Sequence, residues 1–202
     1  MEKIFNNLTS AWTYLKTDNK PVVLYGMGDG ADKGLKAFEQ FGIKVSAVMA
    51  SDDFVRGQSF HGFKVKKLSE VEAEYGDFNI ALCFASQLTD VINTIKSVAK
   101  KHTTLVPSAP VFGDNLLDDK FIAENREDIE KAYNLLADKL SKKVYENVLK
   151  FYYTGELSRL DEITTGKDEA LNKILRLGDS EVYVDLGAYN GDTIDEFLHY
   201  CG

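Results

Sequence analysis

Length, composition and charge describe an ordinary globular chain: 202 residues, 44% hydrophobic, 28% charged, with a net charge of −8 and two cysteines. These values exclude a disulfide framework, a cysteine-based metal site and a general electrostatic attraction to nucleic acid, which needs clustered Lys and Arg. No stretch approaches the roughly 20 apolar residues of a membrane span, and the N-terminus lacks a signal peptide, so we expect a soluble, cytoplasmic protein.

Helices and strands alternate over the first half of the chain. Apolar residues at helical spacing predict a helix over residues 3–17. Five strands follow, at PVVLYG, IKVSAVMA, FKVKKL, FNIALCFA and TTLVP. Helices are predicted at GDGADKGLKAFEQFG, at SEVEAEYG with Ser69 as N-cap, and over residues 87–101, and DDFVRGQSFHG is predicted as a polar loop. This alternation predicts an α/β fold, a Rossmann-like doubly wound parallel sheet of about five strands, over residues 1–112.

Helical spacing dominates the second half. Residues 113–178 are predicted as a helical connector of two to four helices, with breaks near Gly155 and Gly166. VYVDL then predicts a new buried strand, and residues 179–202 a terminal βα unit.

The terminal unit carries the most specific motif, in the string VYVDLGAYNGDTIDEF. Asp185 and Gly187 end the predicted strand, and Gly191, Asp192 and Thr193 begin a helix. A sharp turn from strand to helix needs glycines where the backbone takes unusual dihedrals or approaches a ligand. The free N–H groups of a helix start and a carboxylate at a strand end can together bind a polar ligand.

This motif resembles the first motif of S-adenosylmethionine-dependent methyltransferases, and specifically those of the FkbM type. DKLSKKVYENVLKFYYTGELSRL resembles the helical lead-in of FkbM-type members that carry an N-terminal extension. The resemblance covers about residues 114–202 and implies S-adenosylmethionine as cofactor. It implies that Asp185, Gly187 and Gly191 lie against the methionine part, and that Asp192 and Thr193 shape the loop.

The same resemblance implies O-methylation of a sugar or another hydroxyl acceptor. The ribose-binding acid and the acceptor residues of the family lie beyond the first motif. We therefore expect the chain to be the N-terminal fragment of a longer methyltransferase, inactive alone. The alternative is a complete protein whose last βα unit belongs to another sheet.

A second glycine turn, YGMGDGADKG, follows the first strand. Gly26, Gly28 and Ala31 match the G-x-G-x-x-A form of a dinucleotide fingerprint, with Gly30 in the same turn. Asp52 and Asp53 follow the second strand, where a ribose-binding carboxylate lies in such folds. The pattern favours a nucleotide site at the carboxyl ends of the strands. Alternatively, the glycines only form a tight turn and the aspartates are solvated.

The loop after the second strand also resembles that of the nucleotide- or sugar-nucleotide-binding domains at the N-terminus of sugar acyltransferases, with Gly57, Gly62 and Val65 approximating their motif. Ser86, after the fourth strand, is predicted either to line the nucleotide site or to cap the next helix. We therefore expect the first domain to be a nucleotide, nucleotide-sugar or dinucleotide binding module without catalysis, or alternatively a homo-oligomerisation domain.

Overall fold

A six-stranded sheet forms the centre of the computed structural model, which describes residues 2–110 and 116–201. Its strands are β1 (Val22–Tyr25), β2 (Val45–Met49), β3 (Ser59–Phe60), β4 (Phe63–Lys66), β5 (Asn79–Leu82) and β6 (Thr104–Leu105). The order is β3-β4-β2-β1-β5-β6, and every neighbouring pair is parallel except β3 with β4. The predicted α/β, Rossmann-like fold is confirmed. The additional strand is β3, which pairs as a short edge hairpin in the segment predicted as a polar loop.

The sheet is buried on both faces, which explains the continuous apolar runs of its central strands. All four residues of β1 and of β5 are buried. Leu24 packs with Trp12 and Phe38 on one face, while Val23 packs with Val98 in a second cluster on the other. Helices α2 (Ala11–Thr17) and α3 (Asp29–Phe41) cover the first face, and α4 (Leu68–Tyr75) and α5 (Thr89–Ala99) cover the second.

The helix predicted over residues 3–17 is wrong as a single element. It is divided into α1 (Glu2–Phe5) and α2, because Asn7 adopts a φ of 60° and Ser10 has extended dihedrals. The Ser10 hydroxyl accepts a hydrogen bond from the N–H of Thr13 at 3.1 Å and so caps α2. A serine inside an amphipathic pattern therefore starts a new helix.

The predicted cap of α4 is also wrong, since the N-cap is Lys67 and not Ser69. The carboxylate of Glu70 accepts a hydrogen bond from the N–H of Lys67 at 2.8 Å. Glu70 is the third residue of the helix and satisfies one of the N–H groups at its start.

Between residues 116 and 162 the helices are α6 (Asp119–Glu124), α7 (Arg126–Leu135), α8 (Lys139–Thr154) and α9 (Ser158–Asp161). Asp118 and Asp138 cap α6 and α8 through their carboxylates. The predicted break at Gly155 is confirmed, because this residue ends α8 with a left-handed φ of 72°. Its carbonyl accepts a hydrogen bond from the N–H of Val106 at 2.9 Å, which fixes the end of α8 beside β6.

The chain divides into two compact units, Met1–Glu162 and Ile163–Gly202. In the second unit, a π-helix (Glu169–Leu175) precedes α10 (Asp192–Cys201). The Lys167 ammonium pairs with the Glu196 carboxylate at 2.5 Å, and the Tyr200 hydroxyl donates to Asp168 at 2.8 Å. These contacts connect α10 to the start of the unit.

The predicted buried strand at VYVDL is wrong. Residues 182–186 are not in a strand, and Val182 and Leu186 are 89% and 94% exposed. The reason is the lack of a partner: within the described part of the second unit, no strand offers backbone groups for pairing.

Across residues 2–110 and 116–201, no helix is long and apolar enough to span a membrane.

Candidate functional site

The turn before α10 has the backbone geometry that its glycines predict. Gly187 and Gly191 adopt φ values of 102° and 85°, in the region that favours glycine. A Cβ added at either position would meet no atom within 4 Å, so space adjoins both backbones. The glycines at these two positions are explained by chain conformation.

Asp185 and Thr193 meet across this turn. The Thr193 hydroxyl donates a hydrogen bond to Oδ2 of Asp185, and the Tyr183 hydroxyl donates to the same oxygen at 3.2 Å. The Asn190 side chain accepts a hydrogen bond from the N–H of Asp192 at 3.3 Å, so Asp192 helps to close the loop. The structure therefore brings the five predicted residues into one turn, with the Asp185 carboxylate held at its start.

The electrostatics of this turn oppose an anionic ligand. Asp192 and Asp195 lie in the first turn of α10, where their charges complement the helix dipole. With Asp185 beside them, the site is acidic and suits ammonium or hydroxyl groups better than phosphate.

A cavity of about 290 Å³ opens in the first unit at the carboxyl ends of the central strands. Of the residues predicted for a nucleotide site, Gly26 and Ser86 line it. Gly26 has a φ of 126°, and a Cβ there would lie 3.2 Å from the Phe84 ring, so a glycine permits the turn out of β1.

Gly28 and Gly30 differ in their surroundings, and neither lines the cavity. A Cβ at Gly30 would lie 2.3 Å from the carbonyl oxygen of Cys83, which indicates that Gly30 allows α3 to approach β5 closely. A Cβ at Gly28 would meet nothing within 4 Å, and its φ of −109° is accessible to any residue.

Asp52 and Asp53 lie in a 3₁₀ helix (Asp52–Phe54), and both are exposed. The cavity lining includes the flanking residues Ser51 and Phe54 but neither aspartate. The two carboxylates therefore belong to the segment that forms one wall.

Ser86 does not cap α5, so that alternative is wrong. The helix begins at Thr89 with Leu88 as N-cap. Ser86 Oγ instead accepts a hydrogen bond from the N–H of Leu88 at 3.1 Å, which shapes the turn between β5 and α5.

Most of the cavity lining is not predicted from the sequence, including the aromatic residues Tyr25, Phe54 and Phe84 and the aliphatic Leu88. Tyr25 is the last residue of β1, and Phe84 comes shortly after the end of β5. Their ring centroids are 5.0 Å apart, and the rings meet edge to face at an angle of 80°. Their positions at strand ends could have identified them, because ligands bind at that edge of doubly wound sheets.

The start of α3 is acidic and its lysine is already paired. The Lys33 ammonium lies 2.6 Å from a carboxylate oxygen of Asp29, and His61 lies 2.5 Å from Asp32. Lys33 is therefore neutralised locally, and the first turn of α3 presents two carboxylates where a phosphate site would need positive charge.

Cys83 packs beneath α3, with its Sγ 3.1 Å from the position that a Cβ at Gly34 would occupy. Burial raises the pKa of its thiol to about 12, so it stays protonated near neutral pH. Within the described ranges, no group of three His, Cys, Asp or Glu side chains is arranged to hold a metal.

Comparison with known proteins gives one structural similarity. The chain is similar to the crystal structure of the methyltransferase FkbM from Methylobacillus flagellatus KT, with a TM-score of 0.48 and 16% sequence identity. The match covers 98% of this chain and 54% of that one, so the chain spans about half the length of the solved structure. No protein-family model matches the sequence, and no curated protein does.

Proposed function

We propose that the chain is the N-terminal portion of an S-adenosylmethionine-dependent methyltransferase, and that residues 179–202 supply the first βα step of its cofactor site. The observation that carries this proposal is the hydrogen bond from Thr193 to Asp185 across a turn whose glycines, Gly187 and Gly191, both have positive φ. The motif alone would be a short sequence match. With this hydrogen bond, the motif forms a closed turn that has a carboxylate at its start.

The chemistry of this turn fits the methionine end of S-adenosylmethionine. The Asp185 carboxylate can accept hydrogen bonds from the ammonium group, and the open space beside Gly187 allows a ligand to approach the backbone. The acidic surroundings of Asp192 and Asp195 also suit a cofactor that carries a sulfonium charge. S-adenosylmethionine supplies the electrophilic methyl group, and by the family resemblance the acceptor is a hydroxyl of a sugar or a related molecule.

The exposed segment at residues 182–186 supports the assignment to a larger domain. Val182, Val184 and Leu186 are 89%, 73% and 94% exposed, although an apolar, β-branched run of this kind is typical of a central strand. Neighbouring strands would bury these side chains and complete the cofactor pocket. One βα unit leaves most of the cofactor in water, so we expect little or no binding by the 202 residues alone.

Calorimetric titration with S-adenosylmethionine tests the proposal on the protein expressed from the complete gene and on the 202-residue chain. The longer protein should bind, and Asp185→Asn should weaken its binding by roughly ten-fold or more, because a charge-assisted hydrogen bond contributes about 1.5–3 kcal/mol. Asp179→Asn is the matched control, because Asp179 is exposed and lies outside the turn. No binding by the longer protein, or equal affinities of the two variants, would overturn the assignment.

A further inference from the structure

The cavity in the first unit lies where the order of the strands in the sheet reverses. Its lining comes from the carboxyl ends of β1, β2 and β5 and from the start of α5. The helix after β1 covers one face of the sheet and the helix after β5 covers the other, so a crevice opens between these adjacent strands. Ligands of doubly wound folds bind at this position.

The walls of the cavity are mainly aromatic and aliphatic. Tyr25 and Phe84 form an edge-to-face pair in its lining, and Phe54 and Leu88 belong to the lining although they are 59% and 68% exposed. Large apolar side chains that face both a cavity and solvent are typical of a binding site that a ligand would cover.

The polar groups of the lining are neutral hydroxyls. The hydroxyls of Tyr25 and Ser51 share a hydrogen bond of 2.7 Å, so the one that accepts it retains a proton to donate. The Ser86 hydroxyl accepts from Leu88 and likewise retains its own proton. Among the described residues that line the cavity, none is cationic.

Charge and size oppose a phosphorylated ligand. Asp52 and Asp53 extend the wall formed by Ser51 and Phe54, and Asp29 begins the helix after β1. Like-charge contacts would disfavour a phosphate or diphosphate group. The volume of about 290 Å³ is also at the lower limit of ligand pockets, roughly 300–1,000 Å³, which is small for a dinucleotide.

We propose that this cavity binds a nucleoside that lacks phosphate groups. The planar base lies against Tyr25, Phe84 and Phe54, where aromatic contacts recognise its ring. The ribose lies towards the hydroxyls of Tyr25, Ser51 and Ser86, which belong to the lining and can exchange hydrogen bonds with it. The site lies wholly in the first unit and does not depend on the methyltransferase assignment.

Thermal shift and calorimetry on the 202-residue chain test the proposal with adenosine, guanosine, cytidine, uridine and thymidine, and with AMP, UMP and NAD. At least one nucleoside should raise the melting temperature, by roughly 5–10 °C at a hundred-fold excess over its Kd. The corresponding monophosphate should bind at least ten-fold more weakly. Absence of stabilisation by every nucleoside, or tighter binding of AMP, UMP or NAD, would overturn the proposal.

Substitutions of residues in the cavity lining test whether the nucleoside binds there. Phe54→Ala and Leu88→Ala should each weaken nucleoside binding about five-fold or more, because each removes an apolar contact from the lining. Leu135→Ala is the matched control, since Leu135 is 85% exposed and lies on α7, outside the cavity lining. Unchanged affinity in Phe54→Ala would place the ligand elsewhere. S-adenosylmethionine itself contains adenosine, so the two proposed sites must be separated. Asp185→Asn changes only the turn before α10, and Phe54→Ala changes only the cavity of the first unit.

Discussion

Tyr153 and Asp119 are 34 positions apart, yet the tyrosine hydroxyl donates a hydrogen bond to Oδ1 of Asp119 at 2.5 Å. The other carboxylate oxygen accepts from the hydroxyls of Thr13 at 2.7 Å and Ser10 at 3.3 Å. One carboxylate therefore joins α2, α6 and α8 within the first unit.

Removal of the tyrosine hydroxyl should destabilise the first unit. We expect Tyr153→Phe to lower the free energy of unfolding by about 1.5–3 kcal/mol, because it removes a hydrogen bond to a charged group on a side chain that is only 7% exposed. Urea unfolding followed by circular dichroism measures the change. Tyr152→Phe is the control, since the neighbouring Tyr152 is 46% exposed, and it should change stability by less than about 0.5 kcal/mol.

The same contact predicts a loss of stability at alkaline pH. Burial and the nearby Asp119 carboxylate raise the pKa of Tyr153 above its ordinary value of 10.0. Above about pH 10 the unfolded chain releases this proton while the folded chain keeps it, so the stabilisation is complete below pH 10 and declines as pH rises towards the folded pKa. The slope from this group is at most about 1.4 kcal/mol per pH unit.

Urea unfolding of wild type and Tyr153→Phe at pH 8 and pH 11 measures this loss. The variant should lose less stability than wild type between the two pH values. Equal losses would mean that Tyr153 does not titrate differently in the folded and unfolded chains.

The two glycines of the α3 turn predict effects of alanine that differ in size. Gly30→Ala should destabilise the first unit by about 1–3 kcal/mol, because its Cβ would lie 2.3 Å from the backbone carbonyl oxygen of Cys83. Gly28→Ala should change stability by less than about 1 kcal/mol, since its φ is ordinary and the space beside it is open. Thermal unfolding compares them. A stabilised Gly30→Ala would show that α3 does not approach β5 closely.

The sequence predicted the sheet well because buried apolar runs such as FNIALCFA can only be covered on both sides. The same apolar pattern failed as a predictor at VYVDL, where burial depends on neighbouring strands that a local pattern does not reveal. It failed at residues 3–17 because the capping of α2 by Ser10 interrupts a continuous apolar periodicity.

The lining of the cavity was likewise predicted only in part. Gly26 and Ser86 were found from their positions at strand ends, whereas Phe54 and Leu88 line it through the conformations of a 3₁₀ turn and a helix start. Periodicity carries no information about such turns. The contact of Asp119 with Tyr153 was likewise outside any local pattern, because its partners lie on helices distant in the chain.

The end of α8 offers the sharpest test that the helical segment and the sheet share one core. Gly155 and Gly42 both end helices with left-handed φ values, 72° and 66°, so alanine at either position carries the same backbone strain of about 1–2 kcal/mol. Only at Gly155 would the new Cβ also meet the sheet, 2.8 Å from the backbone nitrogen of Val106. Gly155→Ala should therefore destabilise the first unit by roughly 1–3 kcal/mol more than Gly42→Ala in urea unfolding. Equal effects of the two substitutions would show that the end of α8 does not lie against the residue that follows β6.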